Sequence, residues 1–358
     1  MATACRGPAG EPPRRYAHPA VTIKSSGSLA DVSRRAGVSV ATASRVLNGS
    51  SHPVSERTRR RVLRAAEELG YSPSALARAL VTNRSRIIGV VVGDIVDPYF
   101  AEITRGVEDV AAQAGYMTIV CNADRRTEAE LAQLQLLSDY RAEGVVFAGS
   151  GYVDDPLGAD LAEAVTRARD RGMEIVSVAL RDFDCPRIHA DNRAAAHDMT
   201  EYLISLGHRR IAFIGGPKGL YASRDRFAGF RDAMRAAGLE PELVHDGDFG
   251  YDRGYAATER MVEEERLPDA VIGANDATAI GALGALRKAR VAVPDRVSVA
   301  GMTDTRLARF SDMTTVSLPI YDFGAGAARR IVGEGGDHSP ETVLPHRVVP
   351  RSTTARRS

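Results

Sequence analysis

A segment near the N-terminus combines helix-capping serines, a turn glycine and one arginine among short side chains. Residues 28–48 read SLADVSRRAGVSVATASRVLN. Ser28 and Ser39 suit the N-caps of two short helices, and Gly37 tolerates the positive φ that the turn between them needs. The second helix, predicted from about Val40 to Leu47, presents side chains that can approach base edges in the DNA major groove. The candidate DNA contacts are Ser39, Val40, Ala41, Thr42, Ser44, Arg45 and Asn48.

Any two short helices joined at a glycine could share this outline, but here the caps, the glycine and the apolar positions agree. Ser55 suits the N-cap of a third helix over about Glu56–Leu69, which Gly70 ends. Its outer face could contact phosphates through Arg57, Arg59, Arg60, Arg61 and Arg64. Residues 74–82 are too short for a stable helix alone, but they could fold on DNA and insert an apolar side chain into a minor-groove step. The candidates in this segment are Ala77 and Leu80; the alternative is an ordinary linker whose leucine packs on the next domain.

Charge is divided unevenly along the 358 residues. Residues 1–86 hold 15 Lys and Arg against 5 Asp and Glu, a net charge of +10. Subtraction from the totals of 47 and 46 leaves 32 against 41, a net charge of −9, for residues 87–358. A basic head on an acidic body indicates that the head binds a polyanion and that the body serves another purpose.

Other features narrow the class of protein. Three widely spaced cysteines predict neither a disulfide framework nor a metal site, which suits a reducing cytoplasm. No apolar run approaches the roughly 18 residues of a membrane span. Residues 1–27 are interpreted as a disordered basic tail and not as a secretory signal. The sequence has no GxGxxG or Walker motif that would predict a cofactor. It also has no Ser–His–Asp or Cys–His grouping that would predict catalysis.

The rest of the chain alternates short apolar strands with amphipathic helices. Strands are predicted over 87–92, 117–121, 144–148, 175–178, 211–215, 243–246, 270–274 and 297–301. Helices are predicted near 99–114, 128–141, 160–171, 193–206, 224–237, 253–265 and 277–289. The alternation predicts an α/β fold of two lobes in tandem, each a parallel sheet covered by helices, with a cleft between them. The tail, roughly residues 316–351, is expected to cross back between the lobes and to end in the strand HRVVPR.

In such folds, ligands bind beyond the carboxyl ends of the strands. Aromatic rings there can stack on a small ligand, while amides, acids and a guanidinium bind its hydroxyls or a carboxylate. The candidates are Tyr99, Phe100, Asn122, Asp191, Arg224, Phe249, Asn275 and Asp304. Arg224 is the preferred cation. Phe100 could instead belong to the core, Asp191 could cap a helix, and Arg226 could form an ion pair that stabilises the lobe.

Several motifs, in the same order along the chain, resemble one family of transcription regulators. They are VSVATASRVLNG, ELGYSPSALARAL, IIGVVVGDIVDPYFAEI, SLGHRRIAFIGG, RFAGFRDAM and ANDATAIGAL. From residue 28 to about residue 354, the chain is similar to the lactose-repressor/galactose-repressor family. The resemblance implies a helix-turn-helix DNA-binding domain over residues 28–73 and a hinge helix or linker over 74–85. It also implies a two-lobed, periplasmic-binding-protein-like body over 86–354.

The resemblance implies partners as well. A homodimer, or a tetramer, would pair through the body, bind a two-fold operator in double-stranded DNA, and repress transcription. A small-molecule effector in the cleft, for which a sugar or sugar-like metabolite is one candidate, would shift the equilibrium between DNA-competent and DNA-incompetent states. The first lobe is expected over about 86–180 with part of 304–330, and the second over about 185–303 with part of 331–354. The rival interpretation is a solute-binding protein without DNA function, against which the basic head argues.

The chain departs from the family's pattern at three places around the expected cleft. Ala179 or Leu180 stands where an Asp is usual, and Leu318 stands where a Gln is frequent. Met302 and Thr303 replace an aromatic residue and an acid. Because carboxylates bind sugar hydroxyls bidentately, their loss argues against an ordinary free sugar. The ligand could be less hydroxylated, more acidic, or absent.

Overall fold

The computed structural model describes residues 27–48, 52–71, 84–241, 243–334 and 339–357. The chain forms two compact units, a head (residues 1–82) and a body (residues 83–358). Of the tail proposed over residues 1–27, residues 1–26 lie outside the described residues, and so does the segment that holds Ala77 and Leu80. Within the described ranges, no helix combines the length and the apolar character needed to cross a membrane.

Helices that each begin at a serine cap make up the described part of the head. They are α1 (Leu29–Ala36), α2 (Val40–Leu47) and α3 (Glu56–Glu68). Ser28 forms a reciprocal capping box with Asp31, and the hydroxyls of Ser39 and Ser55 accept hydrogen bonds from backbone N–H groups three residues further on. Gly37 has φ +61°, which lets the chain turn sharply between α1 and α2. The small core consists of Val32, Ala36, Ala43, Val46, Val62, Ala65 and Ala66.

The first lobe of the body is a parallel sheet with helices packed against it. Its strands, numbered in chain order, are β1 (Ile87–Val92), β2 (Met117–Asn122), β3 (Gly144–Phe147), β4 (Glu174–Ser177), β5 (Arg187–His189) and β11 (Glu341–Val343). Its helices are α4 (Pro98–Gln113), α5 (Thr127–Asp139), α6 (Gly158–Asp170) and α12 (Ile320–Val332). The strand order is β11-β5-β4-β3-β1-β2. The β1 run IIGVVV is buried throughout, as expected of a strand covered on both faces.

The second lobe repeats this plan. Its strands are β6 (Ile211–Ile214), β7 (Val244–His245), β8 (Ala270–Gly273), β9 (Ser298–Thr303), β10 (Thr314–Ser317) and β12 (Arg347–Val349). Its helices are α7 (Asn192–Ser205), α8 (Tyr221–Ala236), α9 (Tyr251–Glu263), α10 (Asp276–Lys288) and α11 (Arg306–Phe310). The strand order is β12-β10-β9-β8-β6-β7, and β12 runs antiparallel to β10. The order reverses between β1 and β3 in the first sheet and between β6 and β8 in the second, where α/β proteins form ligand crevices.

The predicted α/β architecture is confirmed, with element ends that differ by up to three residues. The prediction that the second lobe begins near residue 185 is wrong, because β5 pairs with β4 and β11 of the first sheet. β5 has three residues, too few for the periodicity on which strand prediction depends. The tail does cross between the lobes: β10 and β12 join the second sheet, while β11 joins the first and α12 packs on α4.

Glycines allow three pairs of helices to bring their backbones into close contact. A Cβ atom on Gly229 of α8 would lie 2.0 Å from the carbonyl oxygen of Arg193 in α7. One on Gly324 of α12 would lie 2.0 Å from the carbonyl oxygen of Ile103 in α4, and Gly254 of α9 meets α10 in the same way. Since no real Cβ tolerates such a distance, these helix pairs require glycine at their crossings.

Candidate nucleic-acid interface and effector cleft

One side of α2 is open to solvent, and the other side is anchored in the core of the head. The exposed residues are Ser39, Val40, Ala41 and Arg45, and the half-buried ones are Thr42, Ser44 and Asn48. Ala43 and Val46, on the opposite side, are buried. Because the outer side chains are short, the backbone of such a helix can approach base edges closely.

Internal hydrogen bonds occupy several polar groups on α2. The Ser39 hydroxyl accepts a hydrogen bond from the Thr42 N–H at 3.1 Å, and the Asn48 amide donates to the Ser44 hydroxyl at 3.1 Å. Arg45 has no hydrogen-bond or ion-pair partner among the residues that the structure describes. Its guanidinium is therefore available, and its fork of N–H donors fits the two major-groove acceptors of guanine.

The arginines of α3 divide into two groups. Arg60 is exposed and lacks a partner among the described residues, so it remains a candidate phosphate contact. Arg61 instead donates hydrogen bonds to the carbonyl oxygens of Ala36 and Gly37, the latter at 3.1 Å. These bonds satisfy carbonyl groups at the end of α1, which have no partners within the helix. Arg61 therefore joins α3 to α1, a role that an arginine-rich helix face does not reveal in the sequence.

In the body, a cavity of about 70 Å³ lies between the lobes at the carboxyl ends of the strands. One water molecule needs roughly 10–15 Å³, so the cavity can hold a small ligand. The first lobe contributes residues that follow β1, β3 and β4, and the second contributes residues of α8 and of the segments after β8 and β10. The aromatic side chains that line it are Tyr99, Phe100, Tyr152, Phe249 and Phe323.

Half of the expected cleft residues line this cavity: Tyr99, Phe100, Phe249 and Asn275. The rings of Tyr99 and Phe100 pack edge to face with their centroids 5.2 Å apart. Burial raises the pKa of Tyr99 to about 12, so its phenol stays protonated and can donate a hydrogen bond. Asn275 also caps α10, because its side-chain oxygen accepts from the Thr278 N–H at 2.9 Å while its amide donates to the Phe249 carbonyl oxygen.

The structure does not place the other four expected residues at the cavity; they are Asn122, Asp191, Arg224 and Asp304. Asn122 accepts a hydrogen bond from the Ile95 N–H at 3.1 Å and so shapes the loop after β1. Asp191 is exposed and caps α7. Asp304 is buried against Arg351, whose Nη2 lies 2.6 Å from its carboxylate. In each case, a partner in the protein takes up the polar group that was expected to bind a ligand.

Arg226, and not Arg224, brings a cation to the cavity. Arg224 is exposed, and its Nη2 lies 3.0 Å from the carboxylate of Asp225. Arg226 is 5% exposed; its Nε donates to the Asn192 side-chain oxygen at 2.7 Å and its Nη1 to the Ala274 carbonyl oxygen at 2.5 Å. Two steps along a helix rotate a side chain by about 200°, so the two arginines lie on opposite faces of α8.

A signal for Arg226 was present in the sequence. Ser223, Arg226 and Phe230 are spaced three and four residues apart and form the buried face of α8, together with Gly229. The interpretation of Arg226 as one half of an ion pair is wrong within the described residues, because its two hydrogen-bond acceptors are uncharged. The signal was therefore a cation on the core face of a helix that has no acidic residue three or four positions away.

Both carboxylates that line the described part of the cavity already have protein partners. Asp97 caps α4 and accepts hydrogen bonds from the Tyr99 N–H at 3.0 Å and from the Arg125 guanidinium at 3.3 Å. Glu130 accepts two hydrogen bonds from Arg181, at 2.6 and 2.8 Å. Burial raises the pKa of Asp97, and the bond from the Tyr99 backbone and the charge of Arg125 oppose that rise.

The two lobes are hydrogen-bonded to each other beside the cavity. Tyr152, in the segment after β3, and Leu220, immediately before α8, form an isolated antiparallel β-bridge. The Val153 N–H donates to the Gly219 carbonyl oxygen at 2.7 Å. Tyr152 and Leu220 also line the cavity. A change in the angle between the lobes must therefore disturb this bridge and the cavity together.

Comparison with known proteins decides the family. Residues 28–74 match the model of the lacI family of bacterial regulatory proteins, and residues 200–354 match the periplasmic binding protein-like domain. The HTH-type transcriptional regulator RegA of Clostridium saccharobutylicum is 36% identical over 337 residues, which cover 91% of this chain and 99% of RegA. The chain belongs to the lacI family.

Solved structures of similar proteins agree with this assignment. The lac repressor dimer bound to operator and the anti-inducer ONPF matches with a TM-score of 0.80 at 27% identity, over 92% of this chain and 99% of that one. The complex of the transcriptional regulator CelR with cellobiose matches with a TM-score of 0.65 at 32% identity, over 91% and 99%. This lacI-family regulator therefore joins a helix-turn-helix head to a periplasmic-binding-protein-like body, as the motifs predicted.

Proposed function

We propose that this lacI-family regulator represses transcription by binding a two-fold operator in double-stranded DNA as a homodimer. The observation that carries the proposal is the open side of α2, where Arg45 lacks a partner among the described residues on a well-capped helix-turn-helix. The similar lac repressor structure is a dimer on its operator. The DNA-binding domain spans residues 28–73, residues 74–85 with Ala77 and Leu80 form the hinge, and residues 86–354 form the effector-binding body.

We propose that the two copies pair through the body. Phe310 of α11 is 84% exposed and adjoins a surface pocket that Ile280 and Leu283 of α10 also line. In the first lobe, β2 lies at the edge of the sheet, and its Met117 is 56% exposed. Large apolar side chains at such positions mark association surfaces, and an unpaired edge strand is normally covered.

We propose that the cleft binds a small-molecule effector, sugar-like in size, as the complex of the similar regulator CelR with cellobiose suggests. Arg226 is the anchoring cation and Phe249 a stacking surface. Effector binding alters the angle between the lobes and thereby the bridge from Tyr152 to Leu220, which shifts the equilibrium between DNA-competent and DNA-incompetent dimers. The protein acts by binding, without catalysis or a cofactor, in the bacterial cytoplasm.

Binding of the full chain to duplex DNA at different salt concentrations tests the proposal. Each arginine–phosphate contact releases counterions, so the logarithm of the affinity should fall linearly with the logarithm of salt, with a slope of about −0.9 per contact. Arg60→Ala should reduce this slope. Arg35→Ala is the control, because it removes the same charge from a residue that already pairs with Glu68 at 2.7 Å. A slope near zero between about 50 and 200 mM salt contradicts DNA binding and favours a solute-binding protein.

A further inference from the structure

The guanidinium of Arg226 is a buried charge that has no counter-charge in hydrogen-bonding contact among the described residues. Arg226 is 5% exposed, and among the described residues its acceptors are the side-chain oxygen of Asn192 and the carbonyl oxygen of Ala274. Burial lowers the pKa of this guanidinium, yet an arginine stays protonated in proteins. Burying a charge without pairing it is strongly unfavourable. The arrangement is therefore expected to serve a ligand that supplies the missing charge.

The two acids whose charges act on this guanidinium are both engaged elsewhere. Asp97 accepts hydrogen bonds from a backbone N–H and from another arginine, as described above. Asp276 is buried and accepts hydrogen bonds from the hydroxyls of Thr303, Thr305 and Thr315, at 2.7–2.9 Å. Neither carboxylate makes the direct, bidentate contact that neutralises a guanidinium most effectively.

The unused polar groups of the cavity are hydrogen-bond donors. Among the described lining residues, the hydroxyls of Tyr99 and Tyr152, the side-chain amide nitrogen of Asn192 and Nη2 of Arg226 have no protein partner. The lining carboxylates, in contrast, already accept two hydrogen bonds each. A cavity with spare donors and one spare positive charge favours a ligand group that accepts hydrogen bonds and is negatively charged.

The departures from the family pattern point the same way. Thr303 and Leu318, which stand where the family usually has an acid and a glutamine, line the cavity, as does Ala179, one of the two candidates for the position of a second acid. Ala179 and Leu318 offer no polar side-chain atom, and the Thr303 hydroxyl donates to Asp276 at 2.9 Å. At these three positions, the hydroxyl protons of a neutral sugar would therefore find fewer side-chain acceptors than the family pattern offers.

We propose that the effector carries a carboxylate, which binds the free edge of the Arg226 guanidinium, and an apolar face, which packs on Phe249. This inference rests on the proposed role of the cleft as the effector site. One unpaired positive charge matches one negative charge, so a carboxylate suits the site better than a phosphate, whose charge is about −1.5 to −2 at neutral pH. Acidic sugar derivatives and other small organic acids share this chemistry.

A matched pair of small probes tests the charge requirement on the full-length protein. Propionate and propionamide have the same apolar body and differ in whether the terminal group is an anion. Thermal unfolding of the body is measured with sodium propionate, or with propionamide and sodium chloride at equal ionic strength. Propionate should raise the Tm by about 2–4 °C more than propionamide at ten times its Kd.

Two variants on the same helix locate the effect. Arg226→Gln should abolish the difference between the two probes, because it removes the cation and keeps a polar side chain of similar reach. Arg224→Gln removes the same charge two residues away, at an exposed position, and should retain the full difference. If Arg226→Gln does not fold, Tyr99→Phe provides the decisive measurement: it removes one donor from the cavity and should reduce the propionate-specific shift.

Equal shifts with propionate and propionamide in the wild-type protein overturn the proposal. So does a propionate-specific shift that survives in folded Arg226→Gln or, where that variant does not fold, one that is undiminished in Tyr99→Phe. Binding of the same preparation to duplex DNA is measured in parallel. A protein that binds DNA and yet does not discriminate between the probes refutes the carboxylate alone. If the protein discriminates between the probes but does not bind DNA, the result refutes the proposed regulatory function and still supports the proposed acid-binding cleft.

Discussion

Replacement of Arg45 by alanine should separate base recognition from general attraction to DNA. Arg45 lies on the exposed side of α2 and lacks a protein partner within the described residues. Its loss should therefore change the free energy of unfolding by less than about 0.5 kcal/mol, as for other surface substitutions. A loss of operator-binding free energy that exceeds this small change in stability must therefore come from the DNA contact itself.

The magnitude follows from the number of contacts. A bidentate arginine–guanine contact contributes about 1–3 kcal/mol of discrimination against the wrong base. A two-fold dimer makes the contact twice, so Arg45→Ala should cost about 2–6 kcal/mol in total, or about 30-fold to 10⁴-fold in affinity for the best operator. Binding to random duplex should change much less, because only the phosphate attraction of one side chain per subunit is lost.

Selection from a randomised duplex library, followed by sequencing, measures the base preference at each position. The wild-type protein should prefer one base pair at a symmetric position of each half-site, and Arg45→Ala should lose that preference alone. Arg60→Ala is the matched control on α3 and should weaken all sequences alike. If the two variants retain the wild-type preference at every position, α2 is not the recognition helix and the reasoning fails.

Three further outcomes are expected. Arg226→Ala should abolish the effect of the effector on operator binding, while Arg224→Ala should leave it near wild type in the same titration; equal responses would remove Arg226 from the site. Gly229→Ala should destabilise the body by about 3 kcal/mol or more in denaturant unfolding, because its Cβ would collide with a backbone carbonyl of α7. Gly158→Ala, where a Cβ meets its nearest neighbour at 3.6 Å, should be close to neutral, and equal effects would refute the packing argument. His208 is buried, and burial lowers its pKa below the ordinary value of 6.5, so the unfolded chain binds a proton first as the pH falls. The free energy of unfolding should therefore fall as the pH drops through about 6.5 towards the lower pKa that His208 has in the folded state. Unfolding measured at several pH values should show a smaller fall in His208→Gln.

The sequence by itself determined the features that depend on neighbours a few residues away. Ser28, Ser39 and Ser55 cap α1, α2 and α3 as predicted, because the donor and acceptor of a cap are three residues apart. Buried runs such as IIGVVV in β1 showed a parallel sheet, since a strand covered on both faces is apolar throughout. The motifs, which join these local signals in a characteristic order, identified the family.

The tertiary structure alone decided which distant groups meet. Arg61 bonds to the end of α1 and Asp304 pairs with Arg351, 47 residues further on, and neither contact has a sequence spacing that predicts it. The sheet pairing of β5, which assigns it to the first lobe, likewise depends on β11 from the far end of the chain. Periodicity shows which face of an element is buried, but it does not show what that face packs against. The cavity is formed by strand ends and helix faces that converge after folding, so its composition follows from sheet register and helix orientation.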